Sequence, residues 1–257
     1  RGGSFYVIKI ASGFGENNQL GLKPGQGMML LFDIATGIPK AVLIDQANLT
    51  DLRTGIAGAM ASNLLVNQDI NSAAIIGTGV QARYQARCLM DLMPIKTINV
   101  WGRDSDKSTA LQKDLSDLEV DLVIHKDLAA LVSEARLIIT TTSSKKAIIQ
   151  SDWVQSGTHI TAVGSDTPEK CELDVNILAR ADIVVADSIT QNELRGEVHQ
   201  ALKAGLIEVS SLIEIGQIFE GSAQGRSHYD QITVADLTGV AVQDLVIAEA
   251  VYKAAIS

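Results

Sequence analysis

The apolar run Ala73-Ala74-Ile75-Ile76 ends at Gly77, and an amphipathic stretch from Val80 to Leu92 follows at once. A change from a continuous apolar run to a 3.6-residue period predicts a buried strand handing over to a helix. The same alternation recurs through residues 72–187. It predicts strands over 73–76, 97–101, 121–124, 137–141, 158–163 and 182–186, with helices over 80–92, 105–117, 128–135 and 172–180. Strands without a polar face, separated by helices, belong to a doubly wound parallel sheet of the α/β class. Two later amphipathic stretches, 197–205 and 210–220, end at Gly205 and Gly221, which suit helix C-caps.

The flanks follow a different rule. Phe5 to Ile10 alternates apolar and polar residues; Gly27 to Ile34 and Lys40 to Asp45 read as further strands joined by turns such as Ala35-Thr36-Gly37-Ile38-Pro39. That is an antiparallel meander. Thr50 reads as the N-cap of a helix over Asp51 to Leu65, and Val240 to Ala255 as a closing helix. The chain is therefore expected to hold a Rossmann-type domain, 68–235, inserted into a discontinuous α+β domain made of 1–67 and 236–257. The first residue is Arg1 and the opening GGSFYVIKI already reads as a turn entering a strand, so the expected natural N-terminus lies further upstream.

Composition narrows the function classes. A chain of 257 residues that is 46% hydrophobic but only 4% aromatic suits aliphatic parallel strands under helices. No apolar run reaches the roughly 18 residues of a membrane span, so a cytoplasmic protein with no membrane partner is expected. The net charge of −9, without a Lys/Arg block, argues against a nucleic-acid partner. Cys88 and Cys171 sit outside any CxxC and read as reduced packing thiols. His125, His159, His199 and His228 share no ligand spacing, so no metal is expected.

The chemistry begins at Gly77-Thr78-Gly79-Val80-Gln81-Ala82. A strand, this Gly-x-Gly-x-x-Ala turn and a helix form a dinucleotide site, with the pyrophosphate on the helix N-terminus. Further cofactor contacts are expected where later strands end, at Thr141, Thr142, Val163 and Gly164. NAD-specific sheets place a carboxylate about 20 positions after the glycines. Here the second strand ends Trp101-Gly102-Arg103-Asp104. Gly102 leaves space and Arg103 offers a planar fork for a 2′-phosphate, which favours NADP(H) over NAD(H). The alternative reading makes Arg103 a solvated loop residue and Asp104 the cap of the next helix. Asp166 follows the fifth strand and is either a proton-transfer group or a turn former. Lys9 interrupts an apolar strand. Arg53 lies in a helix first turn, where a cation opposes the dipole. It either grips a substrate carboxylate or pairs with Asp51 or Asp45.

Four segments in order carry a resemblance: Leu49-Thr50-Asp51-Leu52-Arg53-Thr54, the glycine loop, Gly164 to Leu173 and Asp236 to Asp244. Together the chain resembles the ornithine cyclodeaminase/μ-crystallin family. That resemblance implies a homodimer, with Lys9 and Arg53 as substrate-carboxylate ligands and Asp166 as acid/base. It places Thr238 and Gly239 beside the nicotinamide, and Lys9 and Asp166 become the candidate catalytic pair. It also implies a further carboxylate-binding Arg upstream, which this chain lacks. The substrate is expected to be a small amino or imino acid. Reduction of a cyclic imine of the Δ1-pyrroline-2-carboxylate type is favoured. Ornithine cyclodeamination, open-chain dehydrogenation and a non-catalytic nucleotide-binding protein are the alternatives.

Overall fold

The computed structural model describes residues 3–23 and 25–257. The chain divides into two compact units, Arg1–Thr54 with Val240–Ser257, and Gly55–Gly239. These junctions lie at 54/55 and 239/240, where the sequence pattern placed them at 67/68 and 235/236.

The first unit opens with an antiparallel meander, β1 (Phe5–Gly13), β2 (Gly25–Asp33) and β3 (Pro39–Leu43), paired in that order. Period-two alternation gives the sheet two unlike faces. Met29, Leu31 and Leu43, joined by Phe5 and Val7, form a core with Ala248, Leu245 and Tyr252 of the chain's last helix. Lys9 shares the alternate positions of Phe5 and Val7 and stands opposite Met29 in the register. On the other face Tyr6, Ile8, Ile10 and Val42 are exposed, and Tyr6 stacks on Phe32 at 4.9 Å. The long helix α1 spans Asn48–Leu65 and starts two residues before Thr50. Asp45, not Thr50, meets its first turn: Oδ2 accepts the Leu49 N–H at 2.6 Å after a left-handed turn at Gln46 and Ala47.

The second unit continues β4 (Ser72–Ile76), α2 (Val80–Leu92), β5 (Thr97–Trp101), α3 (Ser105–Asp114), β6 (Asp121–His125), α4 (Leu128–Glu134) and β7 (Leu137–Thr140). Then come β8 (Lys145–Ile149), β9 (His159–Ala162), β10 (Cys171–Leu173), α5 (Val175–Arg180), β11 (Ile183–Ala186), α6 (Ile189–Asn192) and α7 (Gly196–Lys203). The unit closes with β12 (Leu212–Glu214), α8 (Ile215–Phe219) and β13 (Thr233–Asp236), after which α9 (Ala241–Ile256) returns to the first unit. Eight strands form one parallel sheet, ordered β12-β11-β13-β9-β7-β4-β5-β6. This is the expected α/β doubly wound architecture. Its strands are apolar on both faces because helices cover both; Ile75, Ile138, Ile160 and Val234 are fully buried.

Besides the unexpected strand β8, three features depart from the sequence pattern. Residues 171–173 form a short strand beside β8, and the expected helix over 172–180 begins only at Val175, capped by Asp174 accepting the Asn176 N–H. Cys171 consequently lies on a strand and not on a helix. Within the expected helix 210–220, Leu212–Glu214 is instead the edge strand of the large sheet. The third is β13, a strand the pattern missed, which lies between β9 and β11. It pairs Asp236 with Ala162 on one side and Ala186 on the other. His159 is buried in the sheet between the hydroxyls of Thr233 and Thr161, at 2.8 and 2.9 Å. Burial, aided by Arg226, pushes its pKa down to about 3, so it stays neutral.

Candidate functional site

Strand order reverses between β4 and β7, which flank one another at the centre of the sheet. Ligands of open α/β sheets bind beyond the strand ends at such a point. Gly77 turns the chain there with φ +129°, and a Cβ on it would come within 2.4 Å of Thr141 Oγ1. Only glycine satisfies both demands. Its N–H donates to the Trp101 carbonyl, and Thr141 N–H donates to that of Ile76. Gly79 is the N-cap of α2; no side chain caps the helix there, and nothing stands within 4 Å of where a Cβ would lie. Open space beside Gly79, at a helix N-terminus that no side chain caps, fits an anion. Val80 is half exposed, while Thr78 and Gln81 are partly buried. Arg83 braces the loop from behind: Nη1 donates to the carbonyls of Thr78 and Gly79 at 2.8 and 2.9 Å, and the guanidinium pairs with Asp114.

Two buried carboxylates tie together the other strand-end loops. Glu172 accepts Thr140 Oγ1 at 2.7 Å, the Thr142 N–H at 2.5 Å and the Gly164 N–H at 2.9 Å. One side chain thus joins the ends of β7 and β9, and Val163 N–H adds a bond to the Thr140 carbonyl. Burial and the neighbouring Glu197 raise the Glu172 pKa to about 7, against these hydrogen bonds. Glu197 accepts the Ser165 hydroxyl and the N–H groups of Glu172 and Leu173. Burial raises its pKa too. Cys171, beside it, is pushed up to about 12 mainly by burial.

The β13 insertion brings Leu237, Thr238 and Gly239 to the same edge. Asp187 Oδ2 accepts the Gly239 N–H at 2.7 Å and Oδ1 accepts the Thr238 hydroxyl at 3.2 Å. Gln191 Nε2 donates to Thr238 Oγ1 and to the Gly239 carbonyl, both at 2.7 Å. None of Glu172, Glu197, Asp187 or Gln191 was anticipated. Their partners are set by tertiary pairing, which no local sequence signal announces.

At the tip of β5 the picture divides. Arg103 is exposed, as a phosphate ligand would be. Asp104 accepts the N–H groups of Asp106 and Lys107 and so caps α3, which was the alternative reading of this residue. The space attributed to Gly102 is filled: a Cβ there would meet Thr78 Cγ2 at 2.5 Å. Gly102 admits a threonine methyl and leaves no vacancy beside the strand.

Asp166 is exposed and its Oδ1 accepts from Lys170 Nζ. It is neither buried nor isolated, so the cost of an unpaired buried charge is no argument for its role. In the first unit, Lys9 and Arg53 converge. Lys9 Nζ lies 2.9 Å and Arg53 Nε 3.2 Å from Asp244 Oδ1, and Arg53 Nη1 donates to Gln243 Oε1 at 2.7 Å. The Arg53 partner is thus Asp244, from α9, and neither Asp45 nor Asp51 supplies that ion pair. Two cations around one carboxylate leave one net positive charge in a largely buried cluster, the condition for holding an anion.

The model of the ornithine cyclodeaminase/mu-crystallin family matches residues 2–257. The chain belongs to that family. An uncharacterized cyclodeaminase of Sinorhizobium fredii is 43% identical over 97% of this chain and 76% of its own length. A Δ1-pyrroline-2-carboxylate reductase of Bacillus cereus is 31% identical over 97% of this chain and 77% of its own. Among solved structures, an archaeal alanine dehydrogenase dimer with bound NAD superposes with a TM-score of 0.91 at 31% identity, covering 98% of this chain and 78% of that one. The members with named activities are oxidoreductases or cyclodeaminases, which bears out the expectation of an enzyme. Among the described residues no helix is long and apolar enough to cross a membrane.

Proposed function

We propose that this family member is a nicotinamide-dinucleotide-dependent oxidoreductase of small amino or imino acids, and that it reduces a cyclic imino acid of the Δ1-pyrroline-2-carboxylate type. The observation that carries this reading is the convergence of Lys9 and Arg53 with one positive charge left over. Gly77 to Gln81 hold the pyrophosphate at the α2 N-terminus, while Thr141, Thr142, Val163, Gly164, Thr238 and Gly239 enclose the nicotinamide end. When bound, the dinucleotide supplies hydride exchange at its ring. Lys9 and Arg53 fix the α-carboxylate, which orients the adjacent carbon. Reduction of the C=N bond adds hydride at carbon and a proton at nitrogen; Asp166 takes that proton up from solvent and passes it to the nitrogen.

Ornithine cyclodeamination is the second reading, favoured by the exposed Asp166 carboxylate, which can serve successive proton transfers. Two assays separate them: NADPH and NADH oxidation with Δ1-pyrroline-2-carboxylate, and ammonia release from ornithine. Activity in the first alone supports reduction; activity in the second alone overturns it; silence in both favours a binding protein. The exposed Arg103, beside an Asp104 committed to helix capping, favours NADP(H), with NAD(H) usable. Arg103→Asp should shift the ratio of kcat/KM from NADPH towards NADH by about tenfold, the scale of one lost charge-assisted phosphate contact. The partner is a second copy of the chain. Support comes from the apolar outer face of the meander, where Ile8 faces Leu30 across the strands and Leu30 faces Val42. Ile8→Glu should convert dimer to monomer in sedimentation analysis.

A further inference from the structure

Asp166 hangs on a loop, residues 164–170, that belongs to no strand or helix. Its side chain is exposed, and its ion-pair partner Lys170 lies in the same loop. Exposed loops with few outside bonds sample many positions. Proton transfer, in contrast, needs the carboxylate within about 3 Å of the accepting atom. A restraint from outside the loop is therefore required.

Helix α7 supplies it from one face. Glu197 and Gln200 are three positions apart and so lie side by side on the helix. Glu197 Oε1 accepts the Ser165 hydroxyl and, at 2.7 Å, the Glu172 N–H; its Oε2 accepts the Leu173 N–H at 3.1 Å. Gln200 Nε2 donates to the Pro168 carbonyl at 2.6 Å and to the Lys170 carbonyl at 3.4 Å. Among the described residues, Ser165 to Glu169 makes no hydrogen bond to any other element. Ser165 is only 1% exposed, so water does not compete for its hydroxyl. The helix is anchored in turn. Val198 and Ala201 are fully buried in the core of the unit, and Asp236 Oδ2 accepts the Val198 N–H at 2.8 Å.

We infer that Glu197, through the Ser165 hydroxyl, and Gln200, through the Pro168 carbonyl, are positioning residues that hold Asp166 in place for proton transfer. One grip fixes the backbone immediately before Asp166 and the other fixes it two residues after. A misplacement of about 1 Å can cost about a hundredfold in rate, which is the scale such a clamp protects. The inference rests on the acid/base role of Asp166 in the proposed reaction and adds to it the residues that give the carboxylate its place.

A double-mutant cycle against Asp166→Asn tests it, run with Δ1-pyrroline-2-carboxylate or ornithine, whichever the enzyme turns over. Ser165→Ala removes one hydroxyl and leaves Glu197 both backbone partners, so the fold should stand. It should lower kcat about tenfold, the scale of one hydrogen bond to a carboxylate, with KM within about twofold. In the Asp166→Asn background it should cost less than about twofold, because residues that act as a unit are not additive. Gln200→Ala should follow the same pattern with a smaller loss, and it takes over if Ser165→Ala does not fold. Equal losses in both backgrounds, or a raised KM with kcat unchanged, would make the contacts merely structural and overturn the inference. Asp166→Asn as active as the wild type would instead sink the acid/base reading itself. Amide exchange reads the clamp without turnover. The Lys170 N–H, bonded within the loop to the Thr167 carbonyl at 3.3 Å, should exchange about tenfold faster in Ser165→Ala; an unchanged rate overturns the clamp even if no substrate is turned over.

Discussion

The two units handle charge in opposite ways. In the first, Lys9 and Arg53 surround Asp244, so a single carboxylate is outnumbered and the cluster remains attractive to an anion. In the second, Glu172, Glu197 and Asp236 are buried and Asp187 partly buried near the strand ends, and all four are met mainly by backbone N–H groups and hydroxyls. Burial raises the pKa of all four, with Glu172 reaching about 7. The contrast separates two uses of ionisable side chains. A cation pair left partly unneutralised serves recognition, whereas a carboxylate with several acceptor sites organises loops whose N–H groups lack partners in the sheet.

The largest break of this comparison comes from the cation side. Arg53→Met should lower kcat/KM by about a hundredfold or more, because losing one member of a desolvated charge contact costs about 2–5 kcal/mol. Steady-state kinetics checks it, and a fall below tenfold would place Arg53 in a packing role. Next comes Glu172→Gln. An amide can replace one acceptor oxygen but turns a donor towards an N–H or hydroxyl at the other, so stability should fall by about 1–3 kcal/mol.

The same variant tests the pH dependence. Between the ordinary value of 4.5 and about 7, folded Glu172 holds a proton that the unfolded chain has released. Its contribution to stability is therefore present at low pH and fades as pH rises through that window. Urea midpoints should fall less steeply across the window in Glu172→Gln than in the wild type. His159 titrates with the opposite sign and lower down, costing stability as pH falls from 6.5 towards 3. Smallest of all is Asp236→Asn. Burial and Glu197 raise the Asp236 pKa well above 3.8, and one of its oxygens accepts the Val198 N–H, a bond an amide carbonyl can keep. A change in melting free energy within about 0.5 kcal/mol is expected.

Much of this was legible in the chain. Strands β4, β7 and β11 announce themselves because each is almost wholly apolar, and β5, β6 and β9 because aliphatic residues dominate a short run bounded by turn residues. Gly77 and Asp166 lie where the strand-end rule puts ligand-facing groups. What escaped has physical causes. Cys171–Leu173 is too short to show a period, and its Glu172 sits in phase with the amphipathic stretch that follows. Leu212–Glu214 suffers the same fate beside α8. The Asp244 carboxylate reads as ordinary helix N-terminal chemistry; only the fold brings it to Lys9, 235 positions away. Gly102 was misread because an absent side chain can signal either room for a ligand or a neighbour that needs the room, and here Thr78 occupies it.

The place of β13 sets an order of assembly. β9 and β11 do not touch as neighbours; the strand between them is Thr233–Asp236, made some fifty residues after β11. While the chain is being synthesised, both strands therefore wait with bare edges, and the gap closes only when that late segment arrives. A nascent chain halted before residue 233 carries a split sheet with two adhesive borders, so the arrival of this one late strand decides whether the product is a folded protein or a clump.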